Sequence, residues 1–230
     1  MTSPTGHGSA PVPAPKSQSG TASDIEPDEK DWTWVLQRPC DECGFDAGAL
    51  SGRQVAARLR ANAVSWATVL HRADAPARPK PQVWSPLEYG CHVRDVCRVF
   101  ESRVNLMRLQ VDPTFESWDQ DATAVAEAYG AQDPLAVSVE LSAAAEAAAT
   151  AFDAVTDGDW QRTGRRSNGA TFTIETLGKY FIHDLTHHLH DVRRLSRAAG
   201  IQRGCWRLWM GCGGRLCLSV MGSMTGQCRR

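Results

Sequence analysis

The stretch VWSPLEYGCHVRDVCRVF, residues 83–100, holds the clearest helix start in this chain of 230 residues. Its first turn contains the elements of a capping box and a hydrophobic staple, which are Trp84, Ser85, Pro86, Glu88 and Tyr89. Apolar side chains then recur at helical spacing, and His92 falls within the apolar face. The stretch therefore predicts a firm helix that starts at Ser85 and turns one histidine toward a core.

Three further helices are predicted from apolar periodicity and from capping signals. Their expected ranges are about 51–70, 133–155 and 173–200. Thr173 is the expected N-cap of the last helix, and Gly200 is its natural C-cap. Asn168 and Gly169 lie in the loop before this helix, where a short hairpin is expected. Four main helices on connections of varied length predict an all-α fold, a four-helix bundle.

Composition divides the chain into three parts. Residues 1–30 are rich in proline, glycine and serine and are expected to form a disordered leader. Residues 31–200 are expected to form the bundle, and residues 201–230 an irregular basic tail that contains cysteine, glycine and tryptophan. For this tail we favour an out-of-frame translation product over a basic nucleic-acid arm, although the composition is compatible with both.

Charge and hydropathy exclude several classes of function. The formal net charge of −1 gives no global argument for a nucleic-acid partner or an anionic membrane. No run of about eighteen apolar residues occurs, and the first 30 residues lack the apolar core of a signal peptide. A cytoplasmic protein that acts on a small molecule is expected. A homodimer stays open, because helical bundles with exposed apolar edges often pair.

The stretch FIHDLTHHLHDV, residues 181–192, carries four of the seven histidines and two aspartates. Two pairs in it have ligand spacing, since His183 precedes His187 by one helical turn and Asp184 precedes His188 by one turn. A helical wheel places His188 in the apolar arc and Asp184 at its border, whereas His183 falls among basic side chains. With only one face turned into the bundle, the wheel favours Asp184 and His188 as the inward pair.

His92 on the second helix is the natural third partner of this pair. Two histidines and one carboxylate would hold a divalent metal and leave a position open for water or substrate. Asp191 would then hold the imidazoles in orientation from behind. The alternative is that these groups are satisfied core residues and local ion pairs, and spacing alone leaves both interpretations open.

Three other groups of residues are weaker candidates. Cys40 and Cys43 form a single CxxC, which is compatible with a packed turn, half a metal site or a redox pair. All the cysteines are expected to be reduced, because their spacing does not suit a disulfide framework. Arg165 and Arg166 lie in a basic loop that either recognises an acidic substrate or is simply solvated. A further set could line the mouth of a pocket: Trp118, Asp119 and Asp121.

The segments VWSPLEYGCHVRDV and YFIHDLTHHLHDV together resemble the DinB-like superfamily, which includes the metal-binding domain of mycothiol-dependent maleylpyruvate isomerases. The resemblance covers about residues 31–197. Within the superfamily, the chain is similar to an uncharacterised actinobacterial branch. It implies a four-helix bundle with a divalent metal between the second and last helices. His92 and His188 match the ligand histidines. Asp184 stands where the family usually has His or Glu, which keeps His183 with His187 as the alternative pair.

The resemblance also implies a chemistry. A zinc or nickel ion with an open position would hold a low-molecular-weight thiol such as mycothiol as its thiolate, for S-transfer or isomerisation. Spacing alone does not distinguish this from hydrolysis of a small molecule by activated water. A non-catalytic, stress-related binding protein is the rival class.

Overall fold

The computed structural model describes Ile25 and residues 31–198, except for the side chains of residues 196–198. The described residues form five α-helices and three short strands. The helices are α1 (Val55–Leu70), α2 (Pro86–Leu109), α3 (Gln120–Ala126), α4 (Pro134–Asp153) and α5 (Ile174–Ala198). The strands are β1 (Thr114–Phe115), β2 (Thr163–Arg166) and β3 (Thr171–Thr173). The predicted leader and tail, and the predicted C-cap Gly200, lie outside the described residues apart from Ile25.

Helix α2 begins as its sequence predicts. The hydroxyl of Ser85 accepts a hydrogen bond from the backbone N–H of Glu88 at 3.2 Å, and the Glu88 carboxylate accepts one from the Ser85 N–H at 2.7 Å. The rings of Trp84 and Tyr89 meet edge to face with centroids 5.5 Å apart. Arg78, from the preceding loop, donates to the same carboxylate. Local and tertiary contacts thus fix the start of the helix.

The bundle is built from α1, α2, α4 and α5, which confirms the predicted fold. Helices α1 and α2 each pack against both α4 and α5, and α2 therefore has an interface with α5. Their interface is closed in the middle by Phe100 and Phe181, whose rings stack with centroids 4.5 Å apart. The histidine stretch of α5 follows directly after this aromatic contact, from His183 onward.

A small sheet and the N-terminal segment flank the α5 side of the bundle. Strands β2 and β3 form the expected hairpin, and β1 joins β2 in parallel, a pairing that the sequence did not predict. The N-terminal segment, residues 31–50, begins with a 3-10 helix (Trp32–Leu36) that Asp31 caps and that packs on α5. This segment covers a face of α5 that a four-helix bundle alone would leave open.

By length and composition alone, helix α4 is long and apolar enough to cross a membrane. Half of its most apolar 18-residue segment is buried in the protein. Its alanine-rich buried face packs between α1 and α2, as expected of a core helix in a bundle. Asp133 caps its start by accepting a hydrogen bond from the Leu135 N–H. The cytoplasmic location stays a prediction.

One face of α2 is buried, although a helical wheel assigns it to solvent. The wheel assigns Arg94 to the solvent face, but Arg94 is only 4% exposed. Its guanidinium donates two hydrogen bonds to Asp95 at 2.9 Å, and Tyr129 donates its hydroxyl proton to the same carboxylate at 2.6 Å. The turn after α3 covers this face of α2. Arg94 is therefore paired within a buried polar network instead of being solvated.

Candidate metal centre

The neighbouring helices α2 and α5 bring His92, Asp184 and His188 together. The Asp184 carboxylate lies between the two imidazoles, with Oδ2 3.7 Å from His92 Nε2 and Oδ1 3.5 Å from His188 Nε2. The two rings are nearly perpendicular, with centroids 4.7 Å apart. One ligand atom from each residue lies within 4.8 Å of the others. The sequence-predicted set is thus assembled in space, with two members one turn apart on α5.

Several polar atoms of this cluster are buried without a hydrogen-bond partner among the described residues. They are Nδ1 and Nε2 of His92, Oδ2 of Asp184 and Nδ1 of His188. Burying such groups unpaired costs on the order of several kcal/mol, so native proteins rarely leave them so. A cation between the imidazoles and the carboxylate would bind one ring nitrogen of His92 and an oxygen of Asp184, and the residues therefore fit a divalent metal.

The pKa values in the cluster show how strongly its charges interact. Burial lowers the pKa of His92, although Asp184 opposes the effect. Burial alone would also lower the pKa of His188, but the carboxylates of Asp184 and Asp191 outweigh it and raise that pKa to about 9. The nearby imidazoles hold the pKa of Asp184 far below its usual range, against the effect of burial. The metal-free cluster is therefore a carboxylate paired with one imidazolium, and a metal cation would displace that proton.

Aromatic rings fix both imidazoles. Trp118 stacks on His92 with centroids 5.4 Å apart and planes 18° apart, and Trp84 approaches the same ring at 5.4 Å. Tyr89 lies 5.2 Å from the ring of His188. The indole of Trp118 is held in turn by a hydrogen bond from its Nε1 to Thr123 Oγ1 at 2.8 Å. Rings packed in this way restrict rotation of the imidazoles.

A pocket of about 280 Å³ opens onto this cluster. Its wall is formed by α5, by the loop that leads into α3, by the N-terminal segment and by the end of β2. The polar and aromatic lining includes Trp32, Trp118, Asp119, Asp121, Arg166 and Tyr180, together with Asp184 and His188. Two of the candidate ligands, Asp184 and His188, thus border the same cavity as the predicted mouth residues, and so do His183 and His187.

The two arginines of the basic loop are separated by the structure. Arg166 lines the pocket, whereas Arg165 does not and instead donates to Asp112, from Nε to Oδ2 at 2.8 Å. The cause is the strand geometry of β2, because successive side chains on a strand point to opposite faces. Of the two predicted substrate contacts, only Arg166 reaches the cavity.

A second cluster lies on the neighbouring face of α5. It consists of Cys40, Cys43, His183 and His187, with one ligand atom of each within 4.8 Å of the others. The helical wheel was wrong about His183, which is only 3% exposed because the N-terminal segment covers it. The expectation that only one register of the histidine stretch faces inward was therefore wrong as well.

Burial shifts the pKa values of three groups in the second cluster toward their neutral forms. Burial and the neighbouring His187 lower the pKa of His183 to about 4, and burial lowers that of His187. Burial raises the pKa of the Cys43 thiol to about 11. Cys40, Cys43, Cys91 and Cys97 are free, as predicted for these four cysteines. The cysteine pair and the histidine pair are each weak signals in the sequence, and only the fold brings the two pairs together.

Asp191 stands between the two clusters. Its Oδ2 lies 3.6 Å from His187 Nε2 and 3.9 Å from His188 Nδ1. Both distances exceed a hydrogen bond, yet each is within the range of an ion pair. The residue that the sequence suggested as a support for His188 thus faces an imidazole of each cluster.

Comparisons with known proteins agree with this architecture. The family model of the DinB superfamily matches residues 56–192. A solved structure that matches is YfiT from Bacillus subtilis, described as a probable metal-dependent hydrolase with an unusual four-helix bundle topology. It is 18% identical, with a TM-score of 0.56, over 76% of this chain and 94% of that chain. At this identity the likeness shows the fold alone. A search of curated proteins finds no match.

Proposed function

Because this chain belongs to the DinB superfamily, we propose that His92, Asp184 and His188 hold one divalent metal ion and that the protein is a metal-dependent hydrolase of small anionic molecules. One observation carries the proposal. Three ligand atoms from two helices converge beside buried, unpartnered polar atoms, and two of the three residues, Asp184 and His188, line an open pocket. His183 and His187 of the second cluster border the same pocket, so the set of three ligands, rather than access to the cavity alone, favours a catalytic site here.

The donor set indicates the metal. Two imidazole nitrogens and one carboxylate oxygen suit zinc or nickel, and a set of three protein ligands is typical of catalytic rather than structural sites. When bound there, such an ion acts as a Lewis acid that lowers the pKa of a water molecule or a thiol toward neutrality. Asp184 here replaces the His or Glu expected from the resemblance, and its carboxylate keeps one negative charge at the site.

The other pocket residues supply binding and proton transfer. Arg166 is held over the ring of Phe172 at 5.8 Å and that of Tyr180 at 6.0 Å. Its planar guanidinium is suited to a carboxylate or phosphate group of the substrate. Asp121, in the first turn of α3, brings a second carboxylate to the pocket wall. We assign it the role of accepting the proton of the attacking nucleophile.

Two observations support water as that nucleophile. The pocket wall is polar and carries carboxylates in addition to Asp184, as general-base activation of water requires. The structurally similar YfiT is also described as a probable hydrolase. Transfer to a low-molecular-weight thiol such as mycothiol is the second candidate, favoured by the resemblance of YFIHDLTHHLHDV to the isomerase domain. In that reaction Arg166 would bind a carboxylate of the thiol.

The test compares metal-stripped protein with protein reconstituted with zinc or nickel. Both are assayed on small esters and amides that carry a carboxylate or phosphate, with and without an added thiol. We expect a metal-dependent rate that His188→Ala abolishes and His71→Ala preserves, since His71 is an exposed histidine at the end of α1. A rate that requires the thiol would assign S-transfer. Equal rates in stripped, reconstituted and His188→Ala protein would refute the metal-dependent enzyme.

A further inference from the structure

We propose that Cys40, Cys43, His183 and His187 form a second metal site, a closed Cys2His2 zinc centre that fastens the N-terminal segment to α5. The four residues come from two segments that are far apart in sequence, and the fold brings their ligand atoms within 4.8 Å of one another. Cys40 is 1% exposed, His183 3% and His187 7%. Two thiols and two imidazoles at one point are a ligand set typical of structural zinc.

The loop that carries the cysteines is shaped to present both sulfurs on one side. The backbone N–H of Gly44 donates to the carbonyl of Cys40 at 2.8 Å, and the N–H of Cys40 donates to the carbonyl of Phe45 at 2.8 Å. Gly44 has φ +74°, a left-handed conformation that glycine adopts without strain. The chain thus turns back on itself within five residues and sets Cys40 and Cys43 facing α5.

The histidine side of the cluster has the geometry expected of zinc ligands. His187 Nδ1 lies 3.7 Å from Cys40 Sγ. Tetrahedral zinc with Zn–S near 2.3 Å and Zn–N near 2.0–2.1 Å separates sulfur and nitrogen ligands by about 3.6 Å. The opposite nitrogen of the ring, Nε2, faces the carboxylates of Glu42 at 3.8 Å and Asp191 at 3.6 Å. A carboxylate behind the imidazole is the usual support of a metal-binding histidine.

Without a metal, the contact between Cys40 and His187 is a hydrogen bond between a thiol and an imidazole, but one nitrogen of the cluster stays unsatisfied. His183 Nε2 is buried and has no hydrogen-bond partner among the described residues. A disulfide between the cysteines would remove both sulfurs from the cluster, and the two thiols are free. Zinc would complete the coordination of both thiolates and satisfy the orphaned nitrogen at once.

This centre differs from the one at His92 in its chemistry. All four zinc positions are filled by protein, so no position is left for a substrate, and its role is structural. Trp32 covers the two histidines, with ring centroids 5.4 Å from His183 and 4.7 Å from His187. Because Trp32 also lines the pocket, the zinc centre would hold one wall of the candidate active site in place.

Cobalt substitution separates the two sites by spectroscopy. Metal-stripped full-length protein is titrated with Co²⁺ while the thiolate-to-cobalt charge-transfer band is recorded, which only a cysteine-ligated site produces. We expect the wild type to show the band, and Cys40→Ser and Cys43→Ser each to abolish it. His92→Ala should keep the band while losing one equivalent of cobalt. Circular dichroism of each variant checks that the bundle is folded.

Two controls account for the other cysteines. Cys91→Ala removes a buried thiol outside the cluster, and a combined Ser variant of Cys205, Cys212, Cys217 and Cys228 removes those of the tail. Both should keep the band. The proposal is overturned if wild-type protein shows no thiolate band at saturating cobalt. It is equally overturned if the band survives in folded Cys40→Ser and Cys43→Ser or disappears with the tail cysteines.

Discussion

The ion pair between Arg78 and Glu88 provides a direct test of how the start of α2 is held. Its side chains are 13% and 5% exposed, and the Glu88 carboxylate also accepts the N–H of Ser85. Glu88→Gln keeps the size of the side chain and an acceptor for Ser85, but it removes the carboxylate charge that pairs with the guanidinium of Arg78. The ion pair holds the start of α2, and the candidate metal ligand His92 lies on this helix one turn after Glu88.

The expected loss follows from this burial. Removing one partner of a buried ion pair costs about 3–5 kcal/mol. Arg78 keeps a hydrogen bond from Nη1 to the carbonyl of Pro81 at 3.1 Å, so we expect the lower end, about 3 kcal/mol in the free energy of unfolding. At about 2–4 °C per kcal/mol, the melting temperature should fall by roughly 6–12 °C.

The pH dependence has a definite sign. Burial raises the pKa of Glu88, but the hydrogen bonds from Arg78 and Ser85 outweigh it and hold the pKa below 4.5. A carboxyl with a depressed pKa stabilises the fold fully above its unfolded pKa, and that contribution is lost as pH falls through its folded pKa. The difference between wild type and Glu88→Gln should therefore be complete at neutral pH and shrink in acid.

Urea unfolding of both proteins at neutral and acidic pH measures this difference. Asp74→Asn is the matched control, because Asp74 also pairs with an arginine, Arg72, but their side chains are 35% and 27% exposed. Solvent screening limits such a pair to about 1 kcal/mol or less. If Glu88→Gln costs no more than Asp74→Asn, or costs the same at both pH values, the reasoning from burial is wrong.

Three further variants test the site and its surroundings. Asp191→Asn should weaken metal binding at both clusters by about 10–100-fold in a chelator competition, because it supports an imidazole of each, and unchanged affinity would remove that role. Gly52→Ala should cost about 1–3 kcal/mol in urea unfolding, since its Cβ would lie 2.5 Å from an indole ring, whereas Gly158→Ala meets nothing within 4 Å. Arg166→Gln should raise the KM of an anionic substrate about 10-fold or more through loss of a charge-assisted hydrogen bond, while Arg165→Gln should not. Equal effects of the two arginines would contradict the assignment.

Local signals made the bundle predictable. The capping box at Ser85 and the aspartate-proline start at Asp133 each act within one turn, so the sequence around them is sufficient. The hairpin at Gly169 is local in the same sense. The pairing of β1 with β2 joins residues near 114 and 165 through two register positions, and no local pattern encodes such a contact.

The candidate site was predictable only in part, for a physical reason. A helical wheel assumes one buried face, and on that assumption it selected Asp184 with His188 and placed His183 in solvent. Helix α5 is instead buried on two faces, because the N-terminal segment folds over the second one. Only a tertiary contact joins Cys40 to His187, 147 residues along the chain. Composition and periodicity do not carry that information.

The metal content of purified protein, measured by ICP mass spectrometry, tests the central claim most directly. We compare wild type with His92→Ala, with Cys43→Ser and with the double variant. Two independent centres predict that the wild type holds two metal ions, that each single variant loses one, and that the double variant loses both. His92→Ala with the same metal content as the wild type would contradict the metal centre between α2 and α5, and with it the proposed enzyme.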